Sequence, residues 1–426
     1  MKIFAESLPR PRLSLAMIVR DEQDVLADSI ESVRSIVDEI VVLDTGSRDR
    51  TVEIARESGA AVHPFAWKNH FGAARNQCLR HVTGQWVLWL DAGERLAEDQ
   101  AEELRGFVDA NADSQSVYAL WIESPPRRPG DSAEQIAQLR LMPAGTPLRF
   151  DGRVRETLLP SIRELGLKTG VAPGRLIRHP RQHDSARCLR KAGRDLALAS
   201  LEAGESGQWP PRLLLAGGLA QGVLGAQDEA RAMLRRAVRS AERGSVEMLE
   251  AYYALLTTFD GDPELHTDQL AVCLESLAVF PFDAQLLLAL GNFLLGRQRL
   301  DLAIRTFEAA VQLGKATPEV WHLCEVKEIA TVCLASALQA QQRDDEARRT
   351  VETALEAHPS SARLQQHLDR PWGQASQMPD TAASVEPPPA AVALADAEPE
   401  GLILRIKDHV AARPKPKRRA VRKKKG

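Results

Sequence analysis

The sequence predicts an α/β domain built on a parallel sheet, followed by an all-α helical repeat domain and a disordered basic tail. Three observations carry this. From residue 13 to residue 91, short apolar runs alternate with segments of helical period, the sign of parallel strands joined by crossover helices. From about Arg187 the chain is rich in Ala and Leu, and small residues recur at fixed offsets. Beyond residue 369, Pro, Ala and Ser, and then Lys and Arg, replace the apolar residues a core would need. The expected domains are residues 1–180, 187–368 and 369–426.

In chain order, four strands are expected at residues 13–19, 39–43, 61–64 and 85–90. Helices are expected between them near 24–35, 50–58 and 71–81, the second capped by Ser47 or Asp49. A helix near 98–110 and strands near 117–122 and 138–142 follow, and the alternating stretch LRFDGRVRETLL at 148–159 is a candidate lining of the same cleft. From about Arg187 the chain reads as helix throughout. Offsets of 12, 16 and 19 from a small residue recur three times: Gly218, Ala230, Leu234, Ala237; Gly291, Ala303, Phe307, Ala310; and Ala335, Ala347, Val351, Ala354. This spacing resembles the tetratricopeptide repeat, whose function is docking, and a degenerate helix pair is expected over 250–281. The tail after residue 369 is expected to be disordered, with a short amphipathic helix at 402–412.

A chain of 426 residues, 44% hydrophobic, has ample material for two or three domains. The net charge of −3 conceals an asymmetry, because residues 413–425 carry nine Lys or Arg and no acid. The folded part is therefore acidic and a poor nucleic-acid binder, while the tail is expected to make nonspecific polyanion contacts. Cys78, Cys188, Cys273, Cys324 and Cys333 form no CxxC pair, which argues against a disulfide framework or a four-thiolate zinc site and for a cytoplasmic location. The first twelve residues hold no apolar stretch of signal-peptide length, and no window approaches 18 apolar residues, so secretion and membrane spanning are disfavoured.

Ligands of open α/β sheets bind outside the carboxyl ends of the strands. Here Asp21 and Glu22 follow the first expected strand, Asp44 the second, and Asp91 and Glu94 the fourth. One such acid is ordinarily a helix cap or turn residue; several on one rim point to a site. The run Asp44-Thr45-Gly46 also matches an aspartic-protease motif, but that all-β fold needs two such loops. A dinucleotide-binding domain would carry GxGxxG after the first strand, where Arg20-Asp21-Glu22 stands instead.

The segments LSLAMIVRDEQDVLADSIESV, VDEIVVLDTGSRDRTVEIARESGAAV and FGAARNQCLRHVTGQWVLWLDAGERL, in that order, closely resemble the amino-terminal half of a family-2 glycosyltransferase with the GT-A fold, over residues 13–96. A weaker continuation, RFDGRVRETLLPSIRELG, is similar to a segment of bacterial members that often reads His-Glu after Arg-Val. The resemblance implies transfer of a sugar from a nucleotide-sugar donor to an acceptor hydroxyl with inversion, and a divalent cation, manganese or magnesium, on the donor phosphates. It places Asp21 and Glu22 in the donor site and Asp44 with Thr45 near the nucleobase. Arg75 becomes a diphosphate contact, Asn76 a structural or donor-binding partner, and Glu156 the catalytic base. Plain surface roles, as a helix cation for Arg75 and an ion-pair residue for Glu156, stand beside these.

Two departures mark the expected metal site. Family members commonly carry Asp-x-Asp after the fourth strand, but here the run is Asp91-Ala92-Gly93-Glu94. Asp91 is left to contact the ribose or a metal, and Glu94 compensates only if the turn points it inward. Arg155 stands where relatives often have His, so Arg155 together with Arg75 is expected to supply the charge a metal would bring. The function read from the sequence is glycosyl transfer with an atypical metal site, plus a protein partner on the repeats. The alternative is a noncatalytic scaffold with a degenerate glycosyltransferase domain.

Overall fold

The computed structural model describes residues 12–110, 115–128, 130–259, 262–370 and 372. The tail and its expected helix at 402–412 lie outside them. Strands β1 (Leu13–Val19), β2 (Glu39–Asp44), β3 (Ala61–Pro64) and β4 (Trp86–Trp89) are parallel, and α1 (Leu26–Glu31), α2 (Thr51–Glu57) and α3 (Phe71–Leu79) connect them. Each helix is shorter than its periodic pattern, since the ends are taken by turns. Asp49 accepts from the Thr51 backbone N–H at 2.9 Å, so it serves the start of α2 as expected of a cap, whereas Ser47 does not.

Strands β1, β2 and β4 read as nearly continuous apolar runs because both sheet faces are covered there, whereas β3 is the half-exposed edge. Leu13, Leu15, Met17 and Val19 of β1, with Ile40 and Val42 of β2 and Leu88 of β4, enter one core. Ala16, Val41, Leu43, Val87 and Trp89, pointing the other way, enter a second with Ala74 and Cys78 of α3.

The sheet continues through β5 (Glu94–Leu96), β6 (Ser116–Ser124), β7 (Glu134–Pro143) and β8 (Lys168–Arg178), with α4 (Ala101–Ala110) and α5 (Leu159–Leu165) between them. Its order is β3-β2-β1-β4-β7-β6-β8-β5, and β7 runs antiparallel to both β4 and β6. The sheet is therefore mixed, with a Rossmann-like parallel part, where the alternating pattern alone suggested parallel. The eleven-residue β8 is unforeseen in the sequence because Pro173 and Gly174 interrupt it. Both sit in a register shift opposite Leu120, where Gly174 adopts φ +119° and a Cβ would meet Leu120 Cδ2 at 2.7 Å.

The chain divides into two units, one running to Thr258 and taking in Thr317–Glu325, the other comprising Phe259–Ala316 and the chain from Val326 on. The first also holds α6 (Ser185–Ser206), α7 (Pro211–Val223), α8 (Gln227–Ser240) and α9 (Val246–Leu256), so the division falls well after residue 187. The reason is burial: Leu198, Ala199, Ala203, Leu213 and Ala216 pack with Val154 against Trp67, Phe71 and Trp209. Glu202 also accepts from the Arg153 backbone N–H at 2.6 Å, and Arg212 donates to the Val154 carbonyl. A two-residue strand, β9 (His322–Leu323), adds antiparallel to β7, correcting the expectation of unbroken helix after Arg187.

The second unit contains α10 (His266–Val279), α11 (Ala284–Gly296), α12 (Leu300–Leu313), α13 (Val326–Ala340), α14 (Asp344–Ala357) and α15 (Ala362–Leu368). The repeat offsets have a direct packing meaning. In the first unit Gly218 of α7 lies against Leu234 of α8, where a Cβ would come within 2.6 Å of Leu234 Cγ. In the second, Gly291 of α11 lies against Phe307 of α12, where a Cβ would come within 2.3 Å of its ring. Ala335 and Val351 occupy the same two offsets in α13 and α14, both fully buried. Small residues at one offset and large ones sixteen later interlock as tetratricopeptide-like helix pairs. Among the described residues no helix is long and apolar enough to cross a membrane.

Candidate functional site

The loops after β1 and β2 clamp each other. Asp44 ends β2 with 8% exposure, and its carboxylate accepts from the backbone N–H groups of Gly46 and Ser47, both at 3.1 Å. Gly46 adopts φ +104°, which lets the turn fold back onto that carboxylate. The Thr45 hydroxyl donates to the Val19 carbonyl at 3.0 Å, and Asp21, itself at φ +54°, accepts from the Arg48 N–H at 2.8 Å. Asp21, Asp44 and Thr45 thus hold one edge of the cleft in shape. The Glu22 N–H donates to the Thr51 hydroxyl at 2.7 Å, while the Glu22 carboxylate turns toward Arg181 and Arg187.

Helix α3 supplies the next two groups. His70 caps it, its Nδ1 accepting from the Ala73 N–H at 3.0 Å. Asn76 bonds both backbone groups of Phe150, donating to the carbonyl at 2.9 Å and accepting from the N–H at 2.7 Å. Its structural role is therefore visible: it pins the 150–157 segment to α3. Arg75 stacks over Trp89 at 4.5 Å and Phe150 at 5.3 Å, with Nη2 donating to Asp91 Oδ1 at 3.0 Å and Nε to Glu156 Oε1 at 2.5 Å.

Asp91, just past β4, is the centre of the network. Its Oδ1 also accepts from the Trp89 indole at 3.2 Å, and its Oδ2 accepts from Arg140 at 3.1 Å. Burial in the cleft would raise its pKa, but Arg75, Arg140, the Trp89 indole and Arg178 outweigh it and hold the carboxyl well below the usual range. The side chain is recessed yet still touches solvent, being 37% exposed. Glu94 does point inward, with 2% exposure, but there it pairs with Arg140 at 2.8 Å and Arg178 at 3.5 Å and accepts from the Asp91 N–H at 3.1 Å.

One expected partnership is not formed. Arg155, at φ +49°, reaches Glu250 of α9 at 2.5 Å, while its neighbour Glu156 goes to Arg75, so Arg155 and Arg75 do not pool their charge. The two adjacent side chains leave the backbone in different directions. The cations beside Asp91 and Glu94 are instead Arg140 of β7 and Arg178 at the end of β8, with Arg181, Arg187 and Lys191 beyond it. Sequence reasoning missed these five because the strand of Arg140 was not connected to the cleft and β8, with the turn and helix start that follow it, was not assigned to the site. The one available signal was the run of basic residues in RHPRQHDSARCLRK following β8.

The residues after β4 do not fit a divalent cation. Gly93 offers no ligand, both oxygens of Asp91 accept hydrogen bonds from cationic side chains, and Glu94 is committed to Arg140. Among the described residues no three His, Cys, Asp or Glu side chains gather as a metal cage. The five cysteines are free thiols.

Residues 14–164 match the family model described as Glycosyl transferase family 2. The chain is 50% identical over 98 residues to a TPR repeat-containing protein of Synechococcus elongatus, covering 23% of this chain and 24% of that one. It is 33% identical over 113 residues to an uncharacterized glycosyltransferase of Rickettsia typhi, covering 26% and 37%. The chain thus spans about a quarter to two-fifths of the length of these curated relatives. Among solved structures, it is similar to Staphylococcus aureus TarS 1–349 at TM-score 0.33 and 12% identity, covering 60% of this chain and 91% of that one. It is also similar to YrrB, a TPR protein with an unusual peptide-binding site, at TM-score 0.31 and 18% identity, covering 42% and 84%. Residues 14–164 form a glycosyl transferase family 2 domain, and tetratricopeptide-like helix pairs follow it.

Proposed function

We propose that this chain is a glycosyltransferase that moves a sugar from a nucleotide-sugar donor to an acceptor hydroxyl, inverting the anomeric carbon. The observation that carries the reading is the Asp91–Arg75–Glu156 cluster, seated at the carboxyl end of β4 inside the matched domain. Asp44 and Thr45 border the nucleobase, and Asp21 shapes that edge. Glu156 takes the proton of the acceptor hydroxyl, whose oxygen bonds to the anomeric carbon as the bond to the diphosphate breaks and the nucleoside diphosphate leaves. One base and one displacement give inversion. Arg75 orients Glu156 and, through Asp91, ties the base to the donor side of the cleft. The tetratricopeptide-like helices take a protein partner, and the chain acts in the cytoplasm.

The test is release of nucleoside diphosphate from a panel of nucleotide sugars, compared for the native chain and Glu156→Gln. Loss of a general base should lower kcat roughly 100-fold or more while leaving donor affinity nearly unchanged. Unimpaired turnover in Glu156→Gln would remove the base assignment. Donor binding without turnover for any acceptor would favour the scaffold reading, to which the closed ion-pair network around Asp91 also lends support.

A further inference from the structure

Gly93 is where the expected second metal-binding aspartate is missing. Its turn is held from both sides, the N–H donating to the Ser29 hydroxyl at 2.9 Å and the carbonyl accepting from the His179 N–H at 2.7 Å. With φ at +91°, the backbone there disfavours any side chain. A Cβ at this position would stand 3.6 Å from Arg181 Nη2 and 3.7 Å from its Nε. A guanidinium therefore fills the room into which a carboxylate at 93 would reach.

Arg181 is not stray. It lies in the short turn after β8 and is held by Glu22, which follows β1 and also binds Arg187 at 3.0 Å. Arg178, at the end of β8, stacks 4.7 Å over Trp321 and reaches Glu94. Arg140 keeps a buried Nε–H with no hydrogen-bond partner among the described residues, although the residue is only 4% exposed. Lys191 of α6 forms no ion pair or hydrogen bond among the described residues, yet it is near enough to feel both Arg178 and Asp91. Lys191 is exposed on α6, where Asp195 and Asp91 attract its charge and Arg178 and Arg194 oppose it.

The charges around this end of the cleft do not cancel. Arg75, Arg140, Arg178, Arg181, Arg187, Lys191 and Arg194 face Glu22, Asp91, Glu94, Glu156 and Asp195, which leaves two positive charges unmatched. That surplus equals the charge of one divalent cation and complements the two ionised phosphates of a nucleotide sugar.

We propose that this cleft binds the diphosphate of its donor without a divalent cation, Arg181 standing in for the metal and its missing aspartate, with Arg178 and Lys191 completing the phosphate contacts. The inference rests on the nucleotide-sugar reading above. Guanidinium groups bind phosphate oxygens in pairs and keep their charge at any working pH, so they supply the attraction a metal would without needing carboxylate ligands.

Calorimetric titration of the full chain with UDP, GDP, ADP, CDP and dTDP, in EDTA and in manganese, tests this. The expected result is that one diphosphate binds in EDTA within about twofold of its affinity in manganese. Arg181→Ala and Lys191→Ala should each weaken that binding by ~10-fold or more. Lys191 forms no hydrogen bond or ion pair among the described residues and is exposed, so Lys191→Ala should keep the native unfolding temperature and stay informative even if Arg181→Ala frees Glu22 and unsettles the fold. Binding that appears only with manganese overturns the inference and leaves the glycosyltransferase reading standing. Binding in EDTA that neither substitution weakens overturns the assignment to these cations. No binding in either condition overturns both the inference and the reading beneath it.

Discussion

At the scale of single residues, two titrating groups give separable pH signatures. Asp91 is held below its ordinary pKa, so its contribution to stability is full above the unfolded carboxylate value of about 4 and is lost progressively as pH falls from there toward the lower folded-state pKa. Urea unfolding of the native chain should therefore steepen in pH dependence between about pH 5 and pH 3, and Asp91→Asn should flatten that part. Burial, followed by Arg153, also lowers His70, against the opposing pull of Glu202, Asp151 and Glu205. Its neutral Nδ1 caps α3, so the stabilisation is present above about pH 6.5 and fades as the pH falls below it. His70→Asn, which keeps a cap acceptor, should lose the pH dependence between about pH 7 and 5, whereas His70→Ala should cost about 1 kcal/mol at pH 8. An unchanged pH profile in His70→Asn would show that the cap does not titrate.

At the scale of elements, β1, β2 and β4 were legible as short apolar runs of a sheet covered on both faces, and β1 and the edge strand β3 match their expected limits. β8 was not, since a proline and a glycine inside a strand look like a loop until a bulge opposite Leu120 accommodates them. The helix pairs were legible because their interlock is local. Gly291 and Phe307 are close in sequence and touch across one seam. Gly291→Ala places a methyl against the fully buried Phe307 ring and should cost roughly 1–3 kcal/mol, partly recovered by adding Phe307→Leu. Differential scanning calorimetry reads both, and a tolerated Gly291→Ala would mean the seam is looser than described.

At the scale of the whole molecule, the first unit recruits residues 317–325 from far along the chain. Their backbone bonds the first half of β7 and its approach: the Ala137 N–H donates to the Pro318 carbonyl at 2.7 Å, and the Cys324 N–H donates to the Ala133 carbonyl at 2.9 Å. Trp321 packs on the sheet's core and supports Arg178. Trp321→Ala should accelerate amide exchange at Ala137 and Cys324 and weaken diphosphate binding through Arg178, with little effect on exchange in β1. Equal acceleration across β1 and β7 would instead mean that the unit unfolds as one.

The sequence by itself determined the two kinds of architecture, the acids on the rim and the helix-pair seams, because each depends on periodicity or on neighbours within about twenty residues. Asp91, Arg75 and Glu156 each stand in a short motif, after β4, in α3 and in the 148–159 stretch, and the structure joins them by ion pairs. Only the tertiary structure decided which cation meets which carboxylate. Arg140, Arg178, Arg181 and Lys191 come from an antiparallel strand, an interrupted strand, a turn and a helix, gathered around the Asp91–Glu94 turn. It likewise parted Arg155 from Arg75, because one left-handed residue sends Arg155 to Glu250 and leaves Glu156 to the cleft. Ion pairing depends on distance in space, and local sequence does not contain that distance.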